Sequence, residues 1–266
     1  MNQLEKKMVE LLTNLRENYN VIGLKNEFEG EGSRLADFIR LKEIGELSGL
    51  GISLKIGGCE AITDMRLAQT VGVKNIVAPM VESPFALKKF VQSFHGVFPP
   101  GEGEGVTMAI NVESAVGCAN FDKMMELPEF VEVTSVNIGS KDLALSMGLG
   151  IMDVNDQKVF DACCDIFRKL KKRHPGCRGV LGGVNGKSMP RLLEYEPGMI
   201  DSYQTRKVSF RFTGEVGENA KEGLIKAYEF EQLWYECKRA RYTKIASEDD
   251  KYVQRIQNNL AILRQN

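Results

Sequence analysis

The sequence predicts a (β/α)8 TIM barrel with an extra N-terminal helix and a C-terminal helical extension. Three observations point there. Strand-length apolar runs alternate with helix-period segments from residue 20 to 212. The strand runs are almost continuously apolar, as in a parallel sheet covered by helices on its outer face. The length, 266 residues, is that of one α/β barrel. Residues 1–266 are therefore read as a single domain, with a helix over 1–19, the barrel core over 20–212 and helices over 213–266. Seven strands stand out. The eighth is either the 208–212 segment or an irregular piece near the N-terminus. An open doubly wound sheet is the alternative, but no G-x-G-x-x-G follows the first strand.

Each element has its own signal. In residues 2–18, Leu4, Met8, Leu11 and Leu15 share one helical face. Residues 21–25 form a short strand that runs into a Gly-rich acidic loop carrying Glu27, Glu29 and Glu31. Ser33 or Arg34 opens a helix with Leu35, Phe38, Ile39, Leu41 and Ile44 inward. Residues 52–58 are strand and turn, 60–71 helix and 75–81 strand, and Ser83 caps a helix reaching Phe94. The loop 95–105 has Gly and Pro punctuation and no period. The runs 106–112 and 133–139 are β-branched strands flanking a helix. A helix over 155–172 has Val159, Ala162, Cys163, Ile166 and Leu170 on its apolar face, and strands follow at 178–184 and 199–205. From about 216 the chain is helical, marked by Leu224, Tyr228, Leu233 and Trp234. After a polar break at 246–250, Val253, Ile256, Leu260 and Leu263 form a narrow seam of coiled-coil spacing. That seam suits packing on its own barrel or on a neighbouring subunit equally.

Bulk composition narrows the function. The chain is 43% hydrophobic and 27% charged, with 35 basic against 36 acidic residues. Such balance gives no footprint for nucleic acid or an anionic membrane surface. No apolar run approaches the roughly 20 residues of a spanning helix, and the charged amphipathic N-terminus is no signal peptide. Six cysteines form no C-x-x-C pair and no zinc spacing, which reads as the reduced thiols of a cytoplasmic protein.

The chemistry gathers at strand ends. Glu113 follows the 106–112 run and Asp142 follows the 133–139 run through Gly-Ser-Lys. The two acids are 29 residues apart, from 113 to 142, which suits one strand–helix–strand crossover. Adjacent parallel strands then bring both to the C-terminal edge of the sheet, where two carboxylates suit a hard divalent cation. The bland alternative is one acid capping a helix and the other pairing with a lysine. Glu27, Lys55, Asn111, Lys141, Asn185, Lys187, Thr205 and Arg206 also fall at or after strand ends, where barrel sites sit. Lys55 stands between Leu54 and Ile56 in an apolar strand, so it points into the barrel or out among helices, and a buried lysine needs a partner. The run 182–188 lacks the first glycine of a P-loop, since position 181 is leucine. Its glycine turn, like Thr205-Arg206-Lys207, is still suited to an anion. His95 and His174 fall away from strand ends and read as surface residues, which leaves no Ser-His-Asp or Cys-His arrangement.

The motifs Asn-Val-Glu-Ser-Ala-Val-Gly (111–117), Ile-Gly-Ser-Lys-Asp-Leu-Ala-Leu-Ser-Met-Gly (138–148) and Ile-Val-Ala-Pro-Met-Val-Glu-Ser (76–83) resemble those of the HpcH/HpaI aldolase and citrate lyase β-subunit family. The likeness spans roughly residues 20–210. It implies a (β/α)8 barrel that makes or breaks a carbon–carbon bond next to a 2-oxo acid or acyl-CoA with Mg²⁺, Mn²⁺ or a similar ion. By resemblance Glu113 and Asp142 are the metal ligands, and Gly139, Ser140 and Lys141 receive the pyruvate carboxylate. Lys55 stands where the family usually has arginine. Phe28, in Lys25-Asn-Glu-Phe28, stands where the hydroxy-acid aldolases have histidine.

The function expected is a class II type aldolase whose partners are a 2-oxo acid such as pyruvate and an aldehyde or acyl compound. Lys55 would sit by the keto oxygen, with a Schiff base at Lys55 as a minor variant. Glu27 is the leading general base, Asn111 a further substrate contact, and Arg206 and Lys187 the anion contacts for the second substrate. The rivals are an acyl-CoA lyase of the citrate or malyl type and a non-catalytic barrel that binds a small acid. The resemblance also implies a homo-oligomer (dimer, trimer or hexamer) built by exchange of C-terminal helices.

Overall fold

The computed structural model describes residues 1–99, 101 and 105–265. Eight strands close into one barrel in sequence order. They are β1 (Val21–Glu27), β2 (Ile52–Lys55), β3 (Asn75–Ala78), β4 (Thr107–Asn111), β5 (Val133–Gly139), β6 (Arg178–Gly182), β7 (Ser202–Gln204) and β8 (Val208–Arg211). Around them run α1 (Gln3–Asn18), α2 (Leu35–Leu47), α3 (Ile62–Val71), α4 (Pro84–Val97), α5 (Ala115–Met125), α6 (Ser140–Ser146), α7 (Gln157–Arg173), α8 (Glu218–Ser247) and α9 (Asp250–Gln265). The strand–helix alternation expected from the sequence is present. Of the expected loop at 95–105, the first residues continue α4 to Val97, and residues 100 and 102–104 lie outside the described residues.

The predicted 208–212 segment is the eighth strand, but it is not parallel. β1 to β7 pair in parallel, whereas β8 is antiparallel to both β7 and β1. Only residues 205–207 separate β7 from β8, and a connection that short makes a hairpin, never a crossover. Thr205 closes the turn, its N–H donating to the Val208 carbonyl at 3.0 Å and its Oγ1 accepting from Val208 N–H at 3.1 Å. Because β8 runs back down the barrel, α8 climbs from the N-terminal end towards the site. It packs against α1 on the way and reaches α2, where Arg241 and Tyr242 bind Asp37 at 2.7 and 2.6 Å.

The hydrophobic core lies between strands and helices, with Phe38, Phe90, Phe121, Phe167 and Trp234 buried there. In α2, Phe38, Leu41 and Ile44 are buried as expected, whereas Leu35 and Ile39 are exposed. Their positions fall off the stripe that the other three define. The barrel interior is different. Most barrels fill it with branched side chains, but here Ser53, Asn75, Ser135, Asn137, Ser202 and Ser209 line an open cavity of about 480 Å³. Small polar side chains leave that volume unfilled.

Candidate active site

The cavity runs along the barrel interior to the C-terminal ends of the parallel strands, and both acids predicted from sequence line it. Glu113, two residues past β4, is almost fully buried. Asn137 Nδ2 donates to Asn111 Oδ1 at 3.1 Å, and Asn111 Nδ2 donates to Glu113 Oε2 at 2.9 Å. The other oxygen accepts the Met80 N–H at 3.2 Å. Met80 adopts φ +50°, a left-handed conformation uncommon outside glycine and frequent at functional sites. Gly139, at the end of β5, is required by the same carboxylate, since a Cβ there would collide with Glu113 Oε2. Glu113 does not cap α5. Ser114 does, accepting the Gly117 N–H at 3.0 Å.

Asp142 lies in the first turn of α6, a helix without a side-chain cap, and lines the cavity with Gly139, Ser140 and Lys141. Its carboxylate makes no hydrogen bond or ion pair among the described residues. Ser140 Oγ donates to the Gly182 carbonyl at 2.9 Å, tying β5 to β6.

Lys55 points into the barrel. Its Nζ is 3.5 Å from Glu27 Oε2 and 3.5 Å from Glu113 Oε1. Burial opposes its charge, but Glu113, Glu27 and Asp142 outweigh that and hold its pKa above the ordinary lysine value. Both oxygens of Glu27 are engaged, because Arg206 Nη1 lies 3.4 Å from Oε1. Arg206, on the β7–β8 turn, also reaches Glu31 at 3.4 Å.

Lys187 is a correction. It is exposed on the turn after Val184 and is absent from the cavity lining. Asn185 folds that turn inward by accepting the N–H groups of Lys187 and Ser188 at 2.9 and 3.2 Å, and it leads into a 3-10 helix (Met189–Glu194) instead of an α-helix. His95 and His174 stand away from the cavity, as expected, although both are half-buried.

Several lining residues carry no signal in the motifs. Lys25 enters because it alternates inward with Glu27 along β1, a periodicity visible in the sequence. Tyr228, Glu231 and Tyr235 enter from α8, and only the antiparallel eighth strand puts that helix there. Lys207 is fully buried. Its Nζ pairs with Glu31 and donates to Asn26 Oδ1 at 2.7 Å, while its backbone N–H donates to Glu231 at 2.8 Å.

Fold and site together define a closed eight-stranded barrel with a polar, acid-lined mouth at its C-terminal face. Residues 59–176 match the sequence model of the HpcH/HpaI aldolase/citrate lyase family, which bears out the resemblance carried by the motifs. Proteins of the family are generally lyases or aldolases and typically depend on a divalent metal. The matched stretch contains Glu113 and Asp142 but not Lys25, Glu27, Lys55 or Arg206.

Solved structures agree in fold. An HpcH/HpaI aldolase from Desulfitobacterium hafniense DCB-2 superposes with TM-score 0.58 at 12% identity, covering 74% of this chain and 80% of that one. A family protein from Burkholderia cenocepacia J2315 gives 0.56 at 16%, with 71% and 80% covered. The citrate synthase SbnG gives 0.52 at 12%, with 70% and 78% covered. No curated protein matches the chain. Among the described residues no helix is long and apolar enough to cross a membrane.

Proposed function

We propose that this chain is a divalent-metal-dependent carbon–carbon lyase acting next to the carbonyl of a 2-oxo acid such as pyruvate, with an aldehyde or acyl compound as the other partner. The observation that carries the reading is Glu113 and Asp142 entering one cavity from consecutive parallel strands, beside Lys55. Among the described residues no group of three or more His, Cys, Asp or Glu side chains is placed to hold a metal. A pair of carboxylates fits an ion of the Mg²⁺ or Mn²⁺ kind, which keeps several waters and takes only one or two carboxylates from the protein. Such an ion, when bound, supplies Lewis-acid stabilisation to the charge developing on the keto oxygen.

The remaining roles fall to the chain itself. Lys55 is a fixed cation aimed at the same developing charge, and Glu27 and Glu113 hold it there at 3.5 Å each. The backbone at Gly139, Ser140 and Lys141 opens α6 where the oxo-acid carboxylate would lie. Asn111 fixes the Glu113 carboxylate, and Arg206 faces an anionic group on the second substrate. The test is exchange of pyruvate methyl protons in D₂O with Mg²⁺ present. EDTA, Glu113→Gln and Asp142→Asn are each expected to abolish exchange, and both variants to lower bound metal. Unchanged exchange and metal content in all three would end the metal reading.

A further inference from the structure

Lys25 and Lys55 line the barrel cavity from adjacent strands, with Lys141 at its rim, and the two strand lysines differ in one respect. Lys55 sits between two carboxylates at 3.5 Å each. Lys25, on the neighbouring strand and two residues deeper in register, opens onto the same cavity yet makes no ion pair and no side-chain hydrogen bond among the described residues. The three acids that act most on Lys25 are committed elsewhere. Glu27 serves Lys55 and Arg206, Glu31 serves Arg206 and Lys207, and Glu113 serves Lys55, Asn111 and the Met80 N–H. The half-buried Lys25 thus stands without a counter-ion among the described residues, in the same cavity as the Lys55 ammonium. Those two conditions disfavour the charged form and shift this lysine towards the free amine, the form able to accept a proton.

We propose that Lys25 is the base that takes the substrate proton in this cavity, the part that the sequence alone gives to Glu27. The proposal rests on the oxo-acid reading above. In the bond-forming direction the C–H bond next to the keto group breaks and its proton moves to the Lys25 Nζ lone pair, giving an ammonium. The C–H electron pair becomes the carbon–carbon double bond of the enol(ate), and the carbonyl electrons move to the oxygen that Lys55 faces. In the reverse direction the Lys25 ammonium returns the proton. Glu27 is poorly placed for this, with both oxygens already held by cations.

The charged groups facing Lys25 come from five places: Glu27 on β1, Lys55 on β2, Glu31 on the loop after β1, Glu113 after β4 and Lys207 on the β7–β8 turn. Burial lowers the Lys25 pKa most, Lys55 lowers it further, and the three acids only partly restore it. This agrees with the geometry.

The experiment compares wild type, Lys25→Met, Lys25→Arg and Lys25→Ala for Mg²⁺-dependent pyruvate methyl exchange in D₂O. Oxalate binding by calorimetry and circular dichroism are read in parallel. Exchange is expected to fall by about 10²- to 10⁴-fold in all three variants, with oxalate binding and the spectrum retained. Added methylamine should restore exchange to Lys25→Ala in proportion to its free-amine fraction, which a structural role would not produce. Wild-type exchange rates in Lys25→Met or Lys25→Arg overturn the proposal. So does a reduced adduct on Lys25 after cyanoborohydride treatment with pyruvate, since that makes the amine a nucleophile. Exchange in wild type and variants alike removes Lys25 only. Its absence from wild type removes the oxo-acid reading, and Lys25 with it.

Discussion

Gly139 has a steric duty that its backbone angles do not explain, for its φ of −82° is open to any residue. The space a Cβ needs is taken by the Glu113 carboxylate. Gly139→Ala is therefore expected to swing Glu113 away from the cavity and cut Mg²⁺ affinity by about 10- to 100-fold, measured by calorimetry, at a stability cost of about 1–3 kcal/mol. Lys25 makes the opposite kind of demand. Its folded-state pKa lies below the unfolded value of about 10.4, so between the two the unfolded chain binds more protons and stability rises with pH. Lys25→Met should unfold at higher urea concentration than wild type at pH 7, with the gap closing as pH approaches about 10.4. A gap that is constant across that range would show Lys25 to be charged in the native state. The thiols are simpler. Burial pushes Cys59, Cys118 and Cys177 up to about 11 and Cys163 to about 12. At pH 8 a thiol of pKa about 11 is thiolate about once in a thousand molecules, so native protein should alkylate with iodoacetamide far more slowly at these four positions than urea-unfolded protein, read by mass spectrometry.

At the scale of elements, the β7–β8 hairpin is what joins the acidic loop to the barrel. Lys207 is buried beneath it and pairs with Glu31, whose side chain is only 3% exposed. A loop acid next to glycines reads from sequence as solvated, and the structure reverses that reading because the hairpin returns directly over the loop. Breaking a buried pair from one side strands a charge. Lys207→Met is expected to cost about 3–5 kcal/mol in urea denaturation, and adding Glu31→Gln should recover part of it. Full additivity of the two changes would show that the pair is not coupled.

For the whole molecule the open question is α9. Val253, Ile256, Leu260 and Leu263 are 50%, 58%, 42% and 72% exposed, so the seam read from the sequence is left uncovered by the described residues of its own chain. Of the two partners that the spacing allows, the barrel is ruled out by this exposure and the neighbouring subunit is left as the proposal. A chain ending at Ser247 is expected to keep its melting temperature and lose self-association in sedimentation equilibrium. An unchanged mass would remove α9 from any interface.

Much of this protein was legible locally. Apolar period and β-branched content place seven strands, because the face of each strand that packs under the helices must be apolar whatever its neighbours. The spacing of Glu113 and Asp142 brings them to one sheet edge, because consecutive parallel strands present the same end. What only tertiary structure decided is how charges pair. Glu27, read as a base, is shared by Lys55 and Arg206; Lys187, read as an anion contact, turns away; and Lys25, given no role by the motifs, stands in the cavity without a counter-ion among the described residues. Sequence spacing fixes which residues reach a strand end, since the chain is covalent and the strand periodic. Which carboxylate meets which cation depends on the closure of β8 against β1 and on the climb of α8, contacts between residues about 180 apart in the chain that no local pattern encodes.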